Sequence, residues 1–188
     1  MIKEKHALDQ VLCGIRDHRV MMSFRGWCVM DGTDEYELSV FVDEKRIPLK
    51  YEARSLRKDV GEAFASEGAI EETRGIGFMA FAELPEDGLT GTLSLTAEQN
   101  GRKLVLGSYS PEEVRKLAET NGMAYAIDRM DMDENRMIIS GWVISLTGSE
   151  LSYTLFGSDG TAIPMKLKKT ARPDINRSFL GEPYRCMA

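Results

Sequence analysis

The pair of residues best spaced for chemistry in this sequence is Asp131 with Asp133, since two carboxylates at one strand end can share a divalent cation beside a diphosphate. Turn formation competes for the same residues. Asp131 to Asn135 falls where a hairpin must reverse, and Asp and Asn favour turns through bonds to their own backbone. The corresponding turn earlier in the chain has only Asp17, so turn chemistry is the expected role. Arg57 with Asp59 and Arg172 with Asp174 have the residue types for acid–base or anion-binding work. An Asp opening a helix also caps free N–H groups, and an Arg two residues before it can brace the turn, so Asp59 and Asp174 are expected as structural caps. The two histidines, His6 and His18, have no companions that would build a nucleophilic triad. Gly75-Ile76-Gly77 lacks the further glycine and the lysine of a phosphate loop and opens a strand, which points to close backbone packing.

A second group of residues suits recognition better than reaction. Trp27 and Trp142 each follow a glycine in an apolar strand. Indole faces stack on sugar rings, but large aromatics within strands ordinarily fill the space between sheets. Lys166, Lys168, Lys169 and Arg172 alternate partly with Met165 and Leu167, the pattern of a solvated strand face, with contact to an acidic surface as the alternative. Trp142, Trp27, Lys166, Lys168 and Arg172 are therefore the candidate ligand-contact residues. No catalytic residue, metal site or cofactor is expected.

The elements that hold these residues come in two copies. Arg19 to Phe64 and Arg136 to Phe179 share Gly26-Trp27 and Gly141-Trp142, Glu-Leu-Ser at 37–39 and 150–152, and Ile-Pro five residues after Asp43 and Asp159. Both close on Arg-x-Asp followed by a β-branched residue and a Phe, at Arg57, Asp59, Val60 and Phe64 and at Arg172, Asp174, Ile175 and Phe179. The lead-ins match as well, Ala7-Leu8-Asp9 against Ala126-Ile127-Asp128. Matched landmarks at matched spacing imply matched turns and registers.

Strands are expected at 6–13 and 19–30 with a turn at Gly14 to His18, at 35–42 and 46–51, and at 75–84, 91–98 and 102–107, with Asn100-Gly101 as a hairpin signal. In the second arm Val20, Met22, Phe24, Gly26 and Cys28 share one face, assigned to the core, and Met21, Ser23, Arg25, Trp27 and Val29 share the other. An antiparallel meander, a short helix over 60–65, and a β-sandwich follow from this pattern. The clearest helix is 111–121, capped by Ser110 with Pro111 first and Glu113 completing a capping box, and it is read as a linker. Strands at 123–132, 136–146, 150–157 and 161–168 restart the pattern. The fold class is mainly β: two tandem antiparallel, immunoglobulin-like β-sandwich modules (1–108 and 123–188) joined by a helical linker (109–122). The second module is read as C-terminally truncated by about thirty-five residues against the first, which leaves an open sheet edge able to self-associate.

Composition narrows the function classes. Hydrophobic residues make up 43% of the 188 and charged residues 29%, which suits a globular protein and excludes a disordered one. Of the formal charge of −6, most lies in residues 1–108, where 14 Lys/Arg face 19 Asp/Glu. No clustered basic face invites nucleic acid. Cys13, Cys28 and Cys186 have no metal-ligand spacing and read as reduced thiols, with a Cys13–Cys28 disulfide as the alternative. The polar start, MIKEKHALDQ, is unlike a signal peptide and no apolar run reaches the roughly 20 residues that span a bilayer. A cytoplasmic location is expected.

Ala-Ile-Asp, Ile-Ser-Gly-Trp-Val, Ser-Asp-Gly with Ile-Pro, and Arg-Pro-Asp-Ile, between Ala126 and Ile175, resemble the modules that precede the catalytic domain in family 2 glycosyltransferases of Gram-positive, largely Clostridium-like, bacteria. The likeness is close in the second module and looser in the first, where Arg57-Lys58-Asp59 replaces Arg-Pro-Asp and Asp43-Glu44 replaces Asp-Gly. It implies non-catalytic β-sandwiches followed by a nucleotide-sugar-binding domain that builds surface polysaccharide, and it transfers no catalytic residue. The expected role is an accessory region that positions an acceptor glycan or a partner chain, the alternative being a free-standing carbohydrate- or protein-binding adaptor. An independent small enzyme is disfavoured because no acid, base or metal set converges.

Overall fold

A computed structural model describes residues 4–30, 35–64, 75–133, 136–147 and 151–180. Strands β1 (Glu4–Arg16) and β2 (Arg19–Met30) form a long hairpin around a two-residue turn. Asp17 and His18 both take positive φ, 50° and 57°, the conformation that matches strand twist in a tight hairpin and that Asp and His tolerate better than most residues. The turn is thus shorter than the sequence pattern predicts. Gly14 lies inside β1, where any side chain would overlap the backbone of Leu146 in the second repeat. Close approach of two backbone segments, not a turn, requires this glycine.

β3 (Glu37–Val42), β4 (Lys45–Ile47) and β5 (Leu49–Ser55) follow. The sequence reads 46–51 as one strand, but Pro48 divides it. Lacking an N–H, proline ends the ladder, and the chain crosses from one sheet to the other. β6 (Gly77–Pro85), a 3-10 turn at Glu86–Gly88, β7 (Leu93–Gln99) and β8 (Arg102–Tyr109) complete the first repeat. Asn100 and Gly101, both at positive φ, join β7 to β8. The result is two four-stranded antiparallel sheets, β1-β2-β6-β5 and β4-β3-β7-β8. The expected meander does not form, because β2 pairs with β6, and β3, in the other sheet, with β7.

Period-two patterning sets the layers. Val20, Met22, Phe24 and Cys28 point between the sheets and are fully buried, packed against Val40, Leu93 and Leu95. The outer face of the first sheet is covered as well. Short helix α1 (Lys58–Ala63) lies over one end, where Trp27, Val29, Val60, Phe64 and Ile76 cluster. Further along, Leu12 and Phe81 are buried with Ala124, Ile144 and Leu146 of the second repeat, and Met21, Tyr51, Trp142 and Ile175 pack around them. Helix α2 (Pro111–Thr120) has the expected capping box at Ser110 and Glu113. It does more than link: Val114 and Ala118 belong to the main core, and the thiol of Cys13 contacts the Val114 carbonyl oxygen at 3.4 Å. Cys13 and Cys28 are free and buried, and burial pushes both thiols up to about 12.

The second repeat builds β9 (Met123–Met132) and β10 (Met137–Ser145), a two-residue ladder of β11 (Leu155–Phe156) with β12 (Ala162–Ile163), and α3 (Pro173–Leu180). The strand expected over 161–168 is confined to Ala162–Ile163, and 164–172 forms no ladder. Hydrogen bonds from Cys13 N to Asn121 O and from Leu146 N to Gly122 O, at 3.1 and 2.8 Å, tie the repeats at the end of α2. No helix among the described residues is long and apolar enough to cross a membrane. Cys186, Glu134 with Asn135, Glu150 and residues 181–188 lie outside the described residues.

Candidate functional site

The recurring polar residues meet at one place in each repeat. β1 and β2 pair Ala7 with Trp27 and Leu8 with Gly26, then skip a residue, so that Gln10 faces Arg25 and Asp9 is a bulge. β9 and β10 do the same: Ala126 faces Trp142, Ile127 faces Gly141, Arg129 faces Ser140, and Asp128 is the bulge. Bulges turn a side chain out of the ladder's alternation. The adjoining glycines are needed because a Cβ on Gly26 would overlap the Ala7 carbonyl oxygen, and one on Gly141 that of Ala126.

Into each bulge reaches the arginine of the Arg-x-Asp motif. Arg57 Nη1 donates to Asp9 Oδ2 at 2.5 Å, while its Nε and Nη2 donate to Asp59 at 2.9 and 2.7 Å. Arg172 repeats the arrangement with Asp128 at 2.8 Å and with Asp174 at 3.0 and 2.8 Å. A planar fork matched to a carboxylate edge gives direction as well as attraction. Each triad latches the start of a helix to the bulged hairpin. The Arg57 guanidinium holds the Asp59 carboxyl down at about 2, with help from backbone N–H groups, and Arg172 lowers Asp174 in the same way. Both arginines are raised by their partners.

This geometry revises the roles of the aspartates. The N-cap of α1 is Arg57, with no capping side chain, and Asp59 sits in the first helical turn facing Arg57. Asp174 likewise follows Pro173 inside α3. Their main partner is the arginine, with a backbone contribution to each carboxylate. Asp9 and Asp128 are participants that the sequence pattern does not single out, although the matching Ala-Leu-Asp and Ala-Ile-Asp lead-ins carry the signal.

The candidate contact residues are dispersed. Trp27 is half-buried, with its ring 5.7 Å from that of Phe64, beneath α1. It lies outside the first sheet and not between sheets, as its place in the outward set Met21 to Val29 requires. Trp142 is half-buried among Leu12, Phe81, Ile144 and Ile175. Lys166 and Lys168 are exposed on the ladder-free stretch after Pro164, not on a strand face. Lys169 lies over the Tyr153 ring at 5.7 Å. Arg172 faces two carboxylates, so an anionic ligand would have to displace one. Asp131 is paired with Arg129 at 2.6 Å and Asp133 approaches Arg136 at 3.6 Å. Gly77 is the close contact expected of Gly75-Ile76-Gly77: a Cβ there would overlap Ser55.

A cleft of about 220 Å³ beside the first latch is lined by Asp9, Arg25, Arg54, Ser55, Arg57 and Met79. Arg54 is engaged by Glu52, by the Tyr36 carbonyl oxygen at 2.6 Å and by the Tyr36 ring at 3.8 Å. These arginines order the chain around the cleft. Compared with protein-family models and with curated proteins, the chain matches none.

Proposed function

We propose that this chain is a non-catalytic accessory region, a recognition or spacing element, of a bacterial glycosyltransferase that builds cell-surface polysaccharide. The observation that carries the reading is that the polar residues recurring in the two repeats are joined to one another: Asp9, Arg57 and Asp59, and Asp128, Arg172 and Asp174, form latches between helix and hairpin. Residues repeated for a reaction would converge on an accessible centre. These converge on the joint that fixes each repeat's shape. The resemblance of Ala126 to Ile175 to modules preceding a catalytic domain supplies the class of enzyme, with that domain or a partner protein as the neighbour and the cytoplasm as the location.

A glycan remains a partner in this reading through Lys166 and Lys168, which are exposed, more than through the half-buried Trp142 and Trp27 or the latched Arg172. A free-standing adaptor is the second reading, and the gene's downstream frame separates the two. The test of the non-catalytic reading is incubation of the chain with a panel of nucleotide sugars and a divalent metal. No turnover is expected. Turnover, or metal-dependent nucleotide binding lost on changing Asp131 and Asp133 to Asn, would sink the proposal.

A further inference from the structure

The first repeat displays what the second one's open strand edge would accept. In repeat one the edge of β2 away from β1 is paired by antiparallel β6, with Ala82 opposite Met22, Ala80 opposite Phe24 and Phe78 opposite Gly26. Phe78 lies over the glycine, since a Cβ on Gly26 would stand 3.1 Å from its Cζ. Met22, Phe24 and Cys28 are fully buried, beside β6 and beneath the second sheet. The shared bulge register maps these positions onto Met137, Ile139, Gly141 and Val143 of β10. There Met137 is 40% exposed and Ile139 41%, and Gly141 is exposed. On the same face of β9, Tyr125 and Ile127 stand 76% and 61% exposed.

Pairing tells the same story. Among the described residues β10 has β9 as its sole ladder neighbour, and the stretch after Pro164 has no ladder, as β5 would lack one without β6. Charge defines what fits. β6 carries one charged residue, Glu83, matched by Arg19 of β2. β10, MIISGWVIS, carries neither charge nor proline, whereas the edge strands of repeat one, β1, β4, β5 and β8, all contain Lys or Arg. A neutral edge without such protection is a template for a neutral strand. The opposite side of β10 is already fixed, because Trp142 and Ile144 pack against repeat one.

We propose that repeat two binds an incoming β-strand of a partner polypeptide by antiparallel addition to β10. The strand is uncharged, places an aromatic ring over Gly141, and sets small residues opposite Ile139 and Met137. Main-chain bonds supply the attraction and the Gly141 notch the register. This inference stands whether or not the partner belongs to a glycosyltransferase.

The test titrates the whole chain with a peptide of β6 sequence, Gly77–Pro85 with Glu83→Gln and a C-terminal lysine tail, and reads hydrogen exchange by segment. One peptide per chain should bind and slow the amides of Met137–Ser145. Phe78→Asp in the peptide, or Ile139→Asp in the chain, should weaken binding by about tenfold or more. Ile139 is exposed in this fold, so its variant keeps the repeat-one core, which exchange in β2 and β7 verifies. Protection appearing in β2 instead, or equal binding of a scrambled peptide, overturns the proposal. So does concentration-dependent dimerisation that protects β10 without peptide, which would assign the face to a second copy.

Discussion

An arginine between two aspartates is a residue-scale device with a pH signature. Asp59 has its carboxyl lowered to about 2 by Arg57, so the folded state binds that proton less readily than the unfolded chain. Stability from this pair is fully present above the ordinary carboxylate range and is lost as pH falls toward about 2, the direction linkage requires for a depressed acid. Arg57→Gln should therefore lower stability at neutral pH and flatten its decline between about pH 4 and pH 2. Denaturant midpoints measured across that range check it, and an unchanged acid limb would leave the latch without energetic weight. Solvent exposure of the carboxylates keeps the effect modest. The repetition of the aspartates at the bulges is visible in the sequence, but only the register irregularity of β1 with β2, and of β9 with β10, shows why they meet arginines 48 and 44 residues away.

Elements were legible where a local rule decides them. The face assignment of β2 follows from a two-residue period, Asn100-Gly101 makes the expected hairpin, and Ser110-Pro111 with Glu113 starts α2 as its types require. What was not legible depended on distant partners. Pro48 reads equally as a strand end or an edge, and its crossover becomes evident only once β5 is seen beside β6. The stretch over 164–172 alternates like a strand, yet alternation without a neighbouring strand makes no ladder. The sequence places α2 between the repeats, as a linker, yet Val114 and Ala118 join the core. Ser110→Ala should cost about 1 kcal/mol, the usual worth of a helix cap, and the loss should appear in global unfolding because α2 packs on β1 and β8. If only local fraying of residues 111–114 changed, in hydrogen exchange, α2 would be a tether and not part of the fold.

At the scale of the whole molecule, the question is whether two repeats make one cooperative body. β6 answers it through its two faces. Phe78, Ala80 and Ala82 face the core of repeat one, and Phe81, on the opposite side, is fully buried in a cluster that Ala124, Ile144 and Leu146 of repeat two complete. Were the repeats independent beads, Phe81 would sit on a solvent-facing sheet surface, and its truncation would change stability by no more than about 0.5 kcal/mol. Docked as observed, Phe81→Ala should leave a cavity between the repeats and cost about 3–5 kcal/mol, the range for a fully buried Phe. Gly14 and Gly122 tighten the same junction, since neither has room for a side chain against Leu146 and Thr147. Denaturant unfolding of a Trp27→Phe chain, which leaves Trp142 as the sole tryptophan, followed by far-ultraviolet circular dichroism and by tryptophan fluorescence decides the matter. With Phe81 intact the two signals should coincide, because Trp142 reports on the junction and the backbone signal is dominated by the sheets of repeat one. In Phe81→Ala the fluorescence change should move to lower denaturant ahead of the backbone signal as repeat two releases first. Coincident transitions with an unshifted midpoint would mean that the junction carries no stability and that each repeat folds on its own account.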